Sequence, residues 1–191
     1  MLAQPSVRSA MDYFLTTRRL GFRCWREEDL PLAAELWGDA DVMALMGGSM
    51  TPAAVRARLA QEMVHMRDLR IQYWPFFLLG DDRFDGTRFA GCAGLRPREH
   101  RPAVDRRKAR AYQMGYHLLP RHWGQGIATE AARAVIDYSF GVLGIEALFA
   151  AHHPLNRRSG NVLLKLGFVT VGEELYPPTG LMHPTYRLLR E

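Results

Sequence analysis

The chain has 191 residues, of which 48% are hydrophobic and 24% charged, and its formal net charge is +5. These values predict one globular domain with its own core and exclude a collagenous, low-complexity or largely disordered chain. The start of the chain lacks the apolar run of a signal peptide, and no segment reaches the ~20 apolar residues that span a bilayer. We therefore expect an N-terminal extension over residues 1–15, a single domain over residues 16–191, a cytoplasmic location and no membrane partner. Cys24 and Cys92 are expected to be free, buried thiols.

The first part of the chain predicts one strand and two helices. Alternating apolar and polar residues indicate a half-buried strand over Arg19–Trp25. A short helix is expected from Asp29 to Leu36, because aspartate is a favoured helix cap. A second helix begins at Thr51, whose hydroxyl can cap a helix that has Pro52 in its first turn.

Three strand candidates follow and lead into a loop that contains glycines. They cover Tyr73–Leu79, Arg88–Leu95 and Ala109–Leu118, and their short connections favour antiparallel pairing. The third of them ends beside the loop Arg121–Gly126, after which apolar residues at helical spacing predict a helix from Ile127.

The connection before the third of these strands is basic. Residues 96–110 contain seven arginine or lysine residues and two acidic residues, Glu99 and Asp105. We expect a solvated loop, with a surface for an acidic substrate, a phosphate or RNA as the alternative. A nucleic-acid partner is disfavoured, because the segment has no aromatic residue that could stack on bases.

A strand, a helix and two further strands complete the chain. The strand covers Ala147–Ala151, and the helix covers Asn156–Leu166 and ends at Gly167. The final strands are expected over Phe168–Val171 and Thr185–Leu189. Together these elements predict an α/β domain with a mixed sheet.

The loop Arg121–Gly126 has the features of an anion-binding loop. The first N–H groups of a helix lack intrahelical partners and carry partial positive charge, so a loop with Gly124 and Gly126 can surround an anion. A tight turn that needs glycine only for its backbone angles is the alternative. The P-loop and dinucleotide motifs do not fit, because Ile127 follows where a lysine is required and the third glycine is missing.

Two blocks of sequence carry a family resemblance. Arg121, Gly124 and Gly126 are spaced as Arg, two residues, Gly, one residue, Gly, within the longer stretch Trp123–Ala131. A second block runs from Asn156 to Phe168. In these blocks the chain resembles the Gcn5-related N-acetyltransferase (GNAT) family, and the longer stretches are similar to its ribosomal-protein N-acetyltransferase branch. The resemblance spans residues 16–189.

This resemblance implies a mixed, mostly antiparallel sheet flanked by helices and splayed between the fourth and fifth predicted strands. It implies acetyl-coenzyme A as co-substrate, with the pantetheine arm in the gap and the diphosphate on the loop. No metal is expected, because the histidines and cysteines lack metal-ligand spacing. Asn156 also suits a helix cap. The residues expected to contact the co-substrate are Leu118, Leu119, Arg121, His122, Trp123, Gly124, Gln125, Gly126, Ile127, Ala128, Asn156 and Ser159.

We expect direct acetyl transfer to an amine in a ternary complex, because no serine or cysteine lies in a nucleophile motif. Ser159 is the first candidate for the acid that protonates the leaving sulfur, and Tyr176 is the second. Many relatives carry an acidic base on the fourth strand, where this chain has none. His117 and Glu99 are the candidate bases, and a backbone N–H near Leu118 is expected to stabilise the oxyanion. Each side chain also suits a structural role.

Two other classes of function stay open. One is a coenzyme A sensor without turnover, which the missing carboxylate favours. The other is an RNA or ribosome-binding module that uses the basic segment. For an enzyme, a protein N-terminus is the acceptor favoured by resemblance, with polyamines, aminoglycosides and free amino acids as alternatives. A homodimer is compatible with the sequence.

Overall fold

The computed structural model describes residues 13–80, 88–98 and 112–190. Most of the predicted extension and most of the basic segment, including Glu99, lie outside the described residues. The strands are β1 (Leu15–Thr16), β2 (Leu20–Phe22), β3 (Tyr73–Leu78), β4 (Phe89–Pro97), β5 (Tyr112–Leu118), β6 (Ala147–Ala151), β7 (Val169–Tyr176) and β8 (Leu181–Leu189). The helices are α1 (Leu30–Trp37), α2 (Ala40–Met43), α3 (Pro52–Leu69), α4 (Ile127–Gly141) and α5 (Arg157–Lys165).

All described strands belong to one sheet, in the order β1-β2-β3-β4-β5-β6-β8-β7. Every neighbouring pair is antiparallel except β5 and β6, which run parallel. This arrangement confirms the predicted mixed, mostly antiparallel sheet flanked by helices.

The sheet opens between β5 and β6. Tyr112 pairs with Leu148 and Gln113 with Phe149, and the described part of the ladder ends there. On its other side β5 stays paired with β4 as far as Leu118. Within the described residues, the second half of β5 therefore faces a gap, which confirms the predicted splay between these two strands.

Helices cover both faces of the sheet, and the strand sequences show why. In β3 every residue is apolar or aromatic, as expected for a strand buried on both sides. Trp74 and Phe76 pack into the core beneath α4 and α5. Tyr73 and Phe77 pack into the core beneath α1 and α3. The four side chains thus divide between two cores, each closed by its own pair of helices.

Several elements differ from the sequence prediction. β7 and β8 are longer than predicted. In β7 the apolar alternation stops at Val171, and the strand continues through the exposed residues Gly172, Glu173 and Glu174. Helix α2 escapes prediction because it is only four residues long; the Asp39 carboxylate caps it by accepting the Val42 N–H at 2.8 Å. β1 begins at Leu15, inside the predicted extension.

Two further features of the described residues concern the cysteines and the helices. Cys24 and Cys92 are both free; Cys92 is buried and Cys24 partly buried. No helix formed by the described residues is long and apolar enough to cross a membrane.

Candidate active site

A cleft of about 1090 Å³ opens where β5 and β6 diverge. Its walls include β5, the glycine loop, the first turn of α4, the end of β6 and α5. Most of the predicted co-substrate residues line it: Leu118, His122, Trp123, Gly124, Gly126, Ile127, Ala128, Asn156 and Ser159. The structure therefore brings together two blocks that are 30 residues apart in the sequence.

The glycine loop presents bare backbone at the start of α4. Gly124 and Gly126 have φ values of 74° and 75°, the left-handed region in which glycine is favoured. A Cβ at Gly124 would meet no atom within 4 Å, so the space beside it is open. Gly126 is the N-cap, and the first helical bond runs from Glu130 N–H to its carbonyl. The N–H groups of residues 127–129 thus lie at an uncapped helix start, which fits a diphosphate.

Arg19, in the connection between β1 and β2, fixes the orientation of the glycine loop. Its Nε donates to Glu130 at 2.6 Å, and its Nη1 donates to the Gln125 carbonyl at 2.9 Å. Thr17 also donates to Glu130, at 2.6 Å. Because C=O and N–H point in opposite directions across a trans peptide, holding the Gln125 carbonyl towards Arg19 turns the Gly126 N–H away from it. Sequence reasoning missed this residue, since its partners lie more than 100 positions away.

Three predicted co-substrate residues do not line the cleft. Arg121 turns its guanidinium away, donating to Glu35 at 2.7 Å and to the Phe89 carbonyl at 3.0 Å. Gln125 donates through its side-chain amide to the Arg121 carbonyl at 2.9 Å and so closes the loop on itself. Leu119 is buried, and its N–H donates to the Ala90 carbonyl at 2.9 Å. These residues shape the loop from behind.

The backbone of β5 presents polar groups to the gap. Because the Leu119 N–H points towards β4, strand alternation directs the N–H groups of Leu118 and Tyr116 towards the gap. The Leu118 carbonyl accepts a hydrogen bond from Trp123 Nε1 at 2.7 Å. An incoming pantetheine amide therefore finds the Leu118 N–H facing the gap and the carbonyl already engaged.

The first turn of α5 carries two of the predicted residues. The Asn156 side chain caps the helix by accepting the Ser159 N–H at 3.0 Å, so its predicted capping role is confirmed. Ser159 Oγ lies 2.8 Å from the hydroxyl of Tyr116, across the gap on β5. Burial raises the pKa of Tyr116 to about 12, against the opposing effect of the Ser159 hydrogen bond. Sequence reasoning passed over Tyr116, although its place on β5 gives it the same side-chain direction as Leu118.

His117 faces the opposite side of β5 from Tyr116. Its Nδ1 accepts a hydrogen bond from Trp37 Nε1 at 3.0 Å, which places the hydrogen of the neutral imidazole on Nε2. Burial, together with the nearby Arg58, lowers the pKa of His117 to about 3. A neutral imidazole whose acceptor nitrogen is occupied is poorly suited to take a proton from an amine. The geometry therefore weighs against the base role that the sequence predicts.

Tyr176, the second candidate acid, is not among the described residues that line the cleft, although it interacts electrostatically with the lining residue Tyr73. Its ring packs on His183 with centroids 4.7 Å apart, and burial raises the pKa of its hydroxyl. Its carbonyl accepts the N–H groups of Thr179 and Gly180 in the turn after β7. These contacts suit a structural role, and the acid role of Tyr176 stays a prediction; Ser159 is the candidate acid that lines the cleft.

The far end of the cleft is mainly apolar. Val42, Leu45 and Met46 line it near α2, together with Tyr73 from β3. Asp41 is the single carboxylate among the described lining residues. Sequence reasoning did not identify these lining residues, because α2 is only four residues long.

The chain is similar to known acetyltransferases in both sequence and fold. The family model described as "Acetyltransferase (GNAT) domain" matches residues 19–169. The uncharacterized N-acetyltransferase p20 of Bacillus licheniformis is 28% identical over 158 residues, 83% of either chain. An acetyltransferase structure from Agrobacterium tumefaciens has a TM-score of 0.72 at 20% identity, over 98% of this chain and all of the other. The ribosomal-protein-S5-alanine acetyltransferase of Vibrio fischeri has a TM-score of 0.69 at 20% identity, over 91% and 94% of the two chains.

The two similar structures show the fold. The family model covers most of the sequence, including the glycine loop and the whole Asn156–Phe168 block. The predicted family is confirmed, and with it the predicted co-substrate. The chain belongs to the GNAT acetyltransferases and is an acyltransferase that depends on acetyl-coenzyme A.

Proposed function

We propose that this enzyme transfers the acetyl group of acetyl-coenzyme A to a primary amine by direct attack in a ternary complex. The observation that carries the proposal is one cleft lined both by the bare helix start at Gly126 and by the apolar residues Val42, Leu45 and Met46, which we call the apolar chamber. The Leu118 N–H faces the same cleft. The co-substrate supplies the activated acetyl group, and the chain supplies position, charge and protons.

Each group in the cleft has a defined task. The N–H groups at residues 127–129 hold the diphosphate. The Leu118 N–H stabilises negative charge that develops on the acetyl oxygen, and one such donor contributes ~3 kcal/mol to catalysis. Ser159 donates its hydroxyl hydrogen to the leaving sulfur. Holding both substrates in one cleft supplies up to ~7–11 kcal/mol of the barrier.

The acceptor amine enters in its neutral form. Asp41 is the one described carboxylate in the lining and lies at the acceptor end, and His117 stays neutral with its Nδ1 engaged. Without a strong base beside the reacting nitrogen, the rate is expected to rise with pH through the acceptor's own pKa. The apolar chamber favours an amine next to an apolar group, either on a protein N-terminus or on a small molecule.

The test is a panel of amines read by released coenzyme A: N-terminal peptides, polyamines, aminoglycosides and free amino acids. Turnover with at least one amine, with a pH profile that follows that amine, is expected. Tight binding of acetyl-coenzyme A without turnover of any amine would instead favour a sensor.

A matched pair of glycine variants tests where the co-substrate binds. Gly124→Val fills the open space in the loop and should weaken acetyl-coenzyme A binding at least ~10-fold. Gly144→Val is the control, because Gly144 also has a positive φ, 65°, and open space, but lies outside the lining of the cleft. Calorimetric titration of both variants gives the answer. Equal affinity in the two variants would place the diphosphate elsewhere.

A further inference from the structure

One side chain contact spans the gap between β5 and α5. Tyr116 and Ser159 both line the cleft, and their hydroxyl oxygens are 2.8 Å apart. The Tyr116 hydroxyl also lies 3.2 Å from the Ser159 carbonyl. Ser159 is further fixed through its own N–H by the Asn156 cap. The serine hydroxyl is thus held by a neighbour that belongs to the opposite wall.

The direction of this hydrogen bond decides where the serine hydrogen points. A phenol has one hydrogen, so Tyr116 donates either to Ser159 Oγ or to the Ser159 carbonyl. The contact with Oγ is the shorter of the two. When Tyr116 donates to Oγ, the serine hydrogen is released to bond a third atom in the cleft. Because burial raises the pKa of Tyr116 to about 12, the phenol keeps its hydrogen at neutral pH.

On the basis of the proposed function, we infer that Tyr116 is a positioning residue: it donates to Ser159 Oγ and thereby directs the Ser159 hydrogen at the leaving sulfur. Tyr116 acts through Ser159 and does not itself contact the substrate. The chain of donors runs from the phenol to the serine hydroxyl to sulfur. Each donation makes the next hydroxyl more acidic.

The step balances without a further reagent. The bond from the acceptor nitrogen to the acetyl carbon forms, and the bond from that carbon to sulfur breaks with its electron pair left on sulfur. The Ser159 proton passes to sulfur, and solvent water carries the proton that the acceptor nitrogen loses back to Ser159 Oγ, so Tyr116 keeps its own hydrogen throughout.

The experiment compares Tyr116→Phe, Ser159→Ala and the double variant, using the fastest amine of the panel. Tyr116→Phe should lower kcat ~10-fold with little change in the KM for acetyl-coenzyme A. In the Ser159→Ala background the same change should have no further effect, because the residue through which Tyr116 acts is missing. Tyr112→Phe, another tyrosine on β5 outside the cleft lining, is the control and should behave like the wild type.

A second readout needs no acceptor. Free coenzyme A is bound to each variant, and its thiol is titrated by thiolate absorbance. A directed serine hydrogen stabilises the thiolate, so the pKa of the bound thiol should be higher in Tyr116→Phe than in the wild type by ~0.5 unit. Ser159→Ala should raise it at least as much, and the double variant no further.

The outcomes separate this inference from the proposed function. Failure of the wild type to acetylate any amine would count against the proposed function, while the thiol titration still tests the inference. An unchanged thiol pKa in Tyr116→Phe would overturn the inference. So would an equal loss of kcat from Tyr116→Phe with and without Ser159, because Tyr116 would then act by another route.

Discussion

His117 shows how one neighbour decides the chemistry of a side chain. Sequence reasoning favours it as a base because the ordinary pKa of histidine lies near neutrality. In the structure, the Trp37 indole donates to its Nδ1 and Arg58 lies nearby, so burial and charge both oppose protonation. Neither partner is close in sequence. A histidine on a strand therefore predicts a titratable group, but not the pH at which it titrates.

The lowered pKa of His117 predicts a pH-dependent stability. In the unfolded chain His117 takes up a proton below its ordinary pKa of 6.5, whereas in the folded chain it stays neutral down to about 3. Proton uptake by the unfolded chain favours unfolding. The free energy of unfolding should therefore be ~2 kcal/mol lower at pH 5 than at a pH where His117 is neutral in both states. This loss grows as the pH falls from 6.5 towards 3.

His117→Asn tests this directly, because asparagine can accept the Trp37 hydrogen bond but does not titrate. Urea unfolding at pH 7 and pH 5 should show a larger loss in the wild type than in the variant, by ~2 kcal/mol. Equal losses in both proteins would mean that His117 is protonated as readily in the folded chain as in the unfolded one.

At the scale of elements, the junction of β5, the glycine loop and α4 depends on the connection between β1 and β2, whose Arg19 lies 106 residues before Gln125. Arg19 binds both the Gln125 carbonyl and Glu130 in the first turn of α4. Burial alone would raise the pKa of Glu130, but the hydrogen bonds from Thr17 and Arg19 and the positive charge of Arg19 outweigh it and lower the pKa. The ion pair thus stays charged at neutral pH and keeps the loop in one orientation.

Arg19→Gln should weaken acetyl-coenzyme A binding ~10-fold, because the Gln125 peptide loses the charged donor that holds it. Arg19→Lys should not restore the affinity, since a single ammonium group does not reproduce the guanidinium's two directed contacts. Arg26→Gln removes an arginine from an exposed ion pair with Glu28 and serves as the control. Full affinity in Arg19→Lys would indicate that Arg19 contributes charge and not orientation.

The site could be predicted in part, and particular residues show the limit. Gly124, Gly126 and Asn156 are found from sequence because their roles depend on local backbone geometry, which glycine and helix-capping side chains report. Arg19 and Tyr116 are not, because their importance arises from partners brought together only by the sheet. The same holds for the fold: β3 and β4 have apolar runs, whereas exposed β7 has none.

At the scale of the whole molecule, a buried charge cluster joins three elements of the acceptor side. Glu62 on α3 is fully buried and accepts hydrogen bonds from Arg58 on the same helix at 2.8 Å and from Arg96 on β4 at 2.7 Å. It also accepts the backbone N–H of Tyr73, at the start of β3, at 2.7 Å. Burial raises the pKa of Glu62. Both guanidinium groups lie over the Tyr73 ring, which forms part of the cleft wall.

Glu62→Gln should destabilise the protein by ~3–5 kcal/mol, because two guanidinium groups then lose their only carboxylate partner in the described cluster. Urea unfolding at neutral pH measures the change. Asp68→Asn, which removes an exposed carboxylate from the end of the same helix, is the control and should leave the free energy of unfolding unchanged. A similar result for the two variants would mean that the cluster is dispensable.

The short parallel contact between β5 and β6 has a mechanical consequence. Strands β6, β8 and β7 form a three-stranded unit whose described backbone is joined to the other five strands by two residue pairs at one end. In the proposed function, the pantetheine arm lies in the open part and should join the two units. We therefore expect the stiffness of the whole sheet to rise when acetyl-coenzyme A binds and to fall when coenzyme A leaves, once in each turnover.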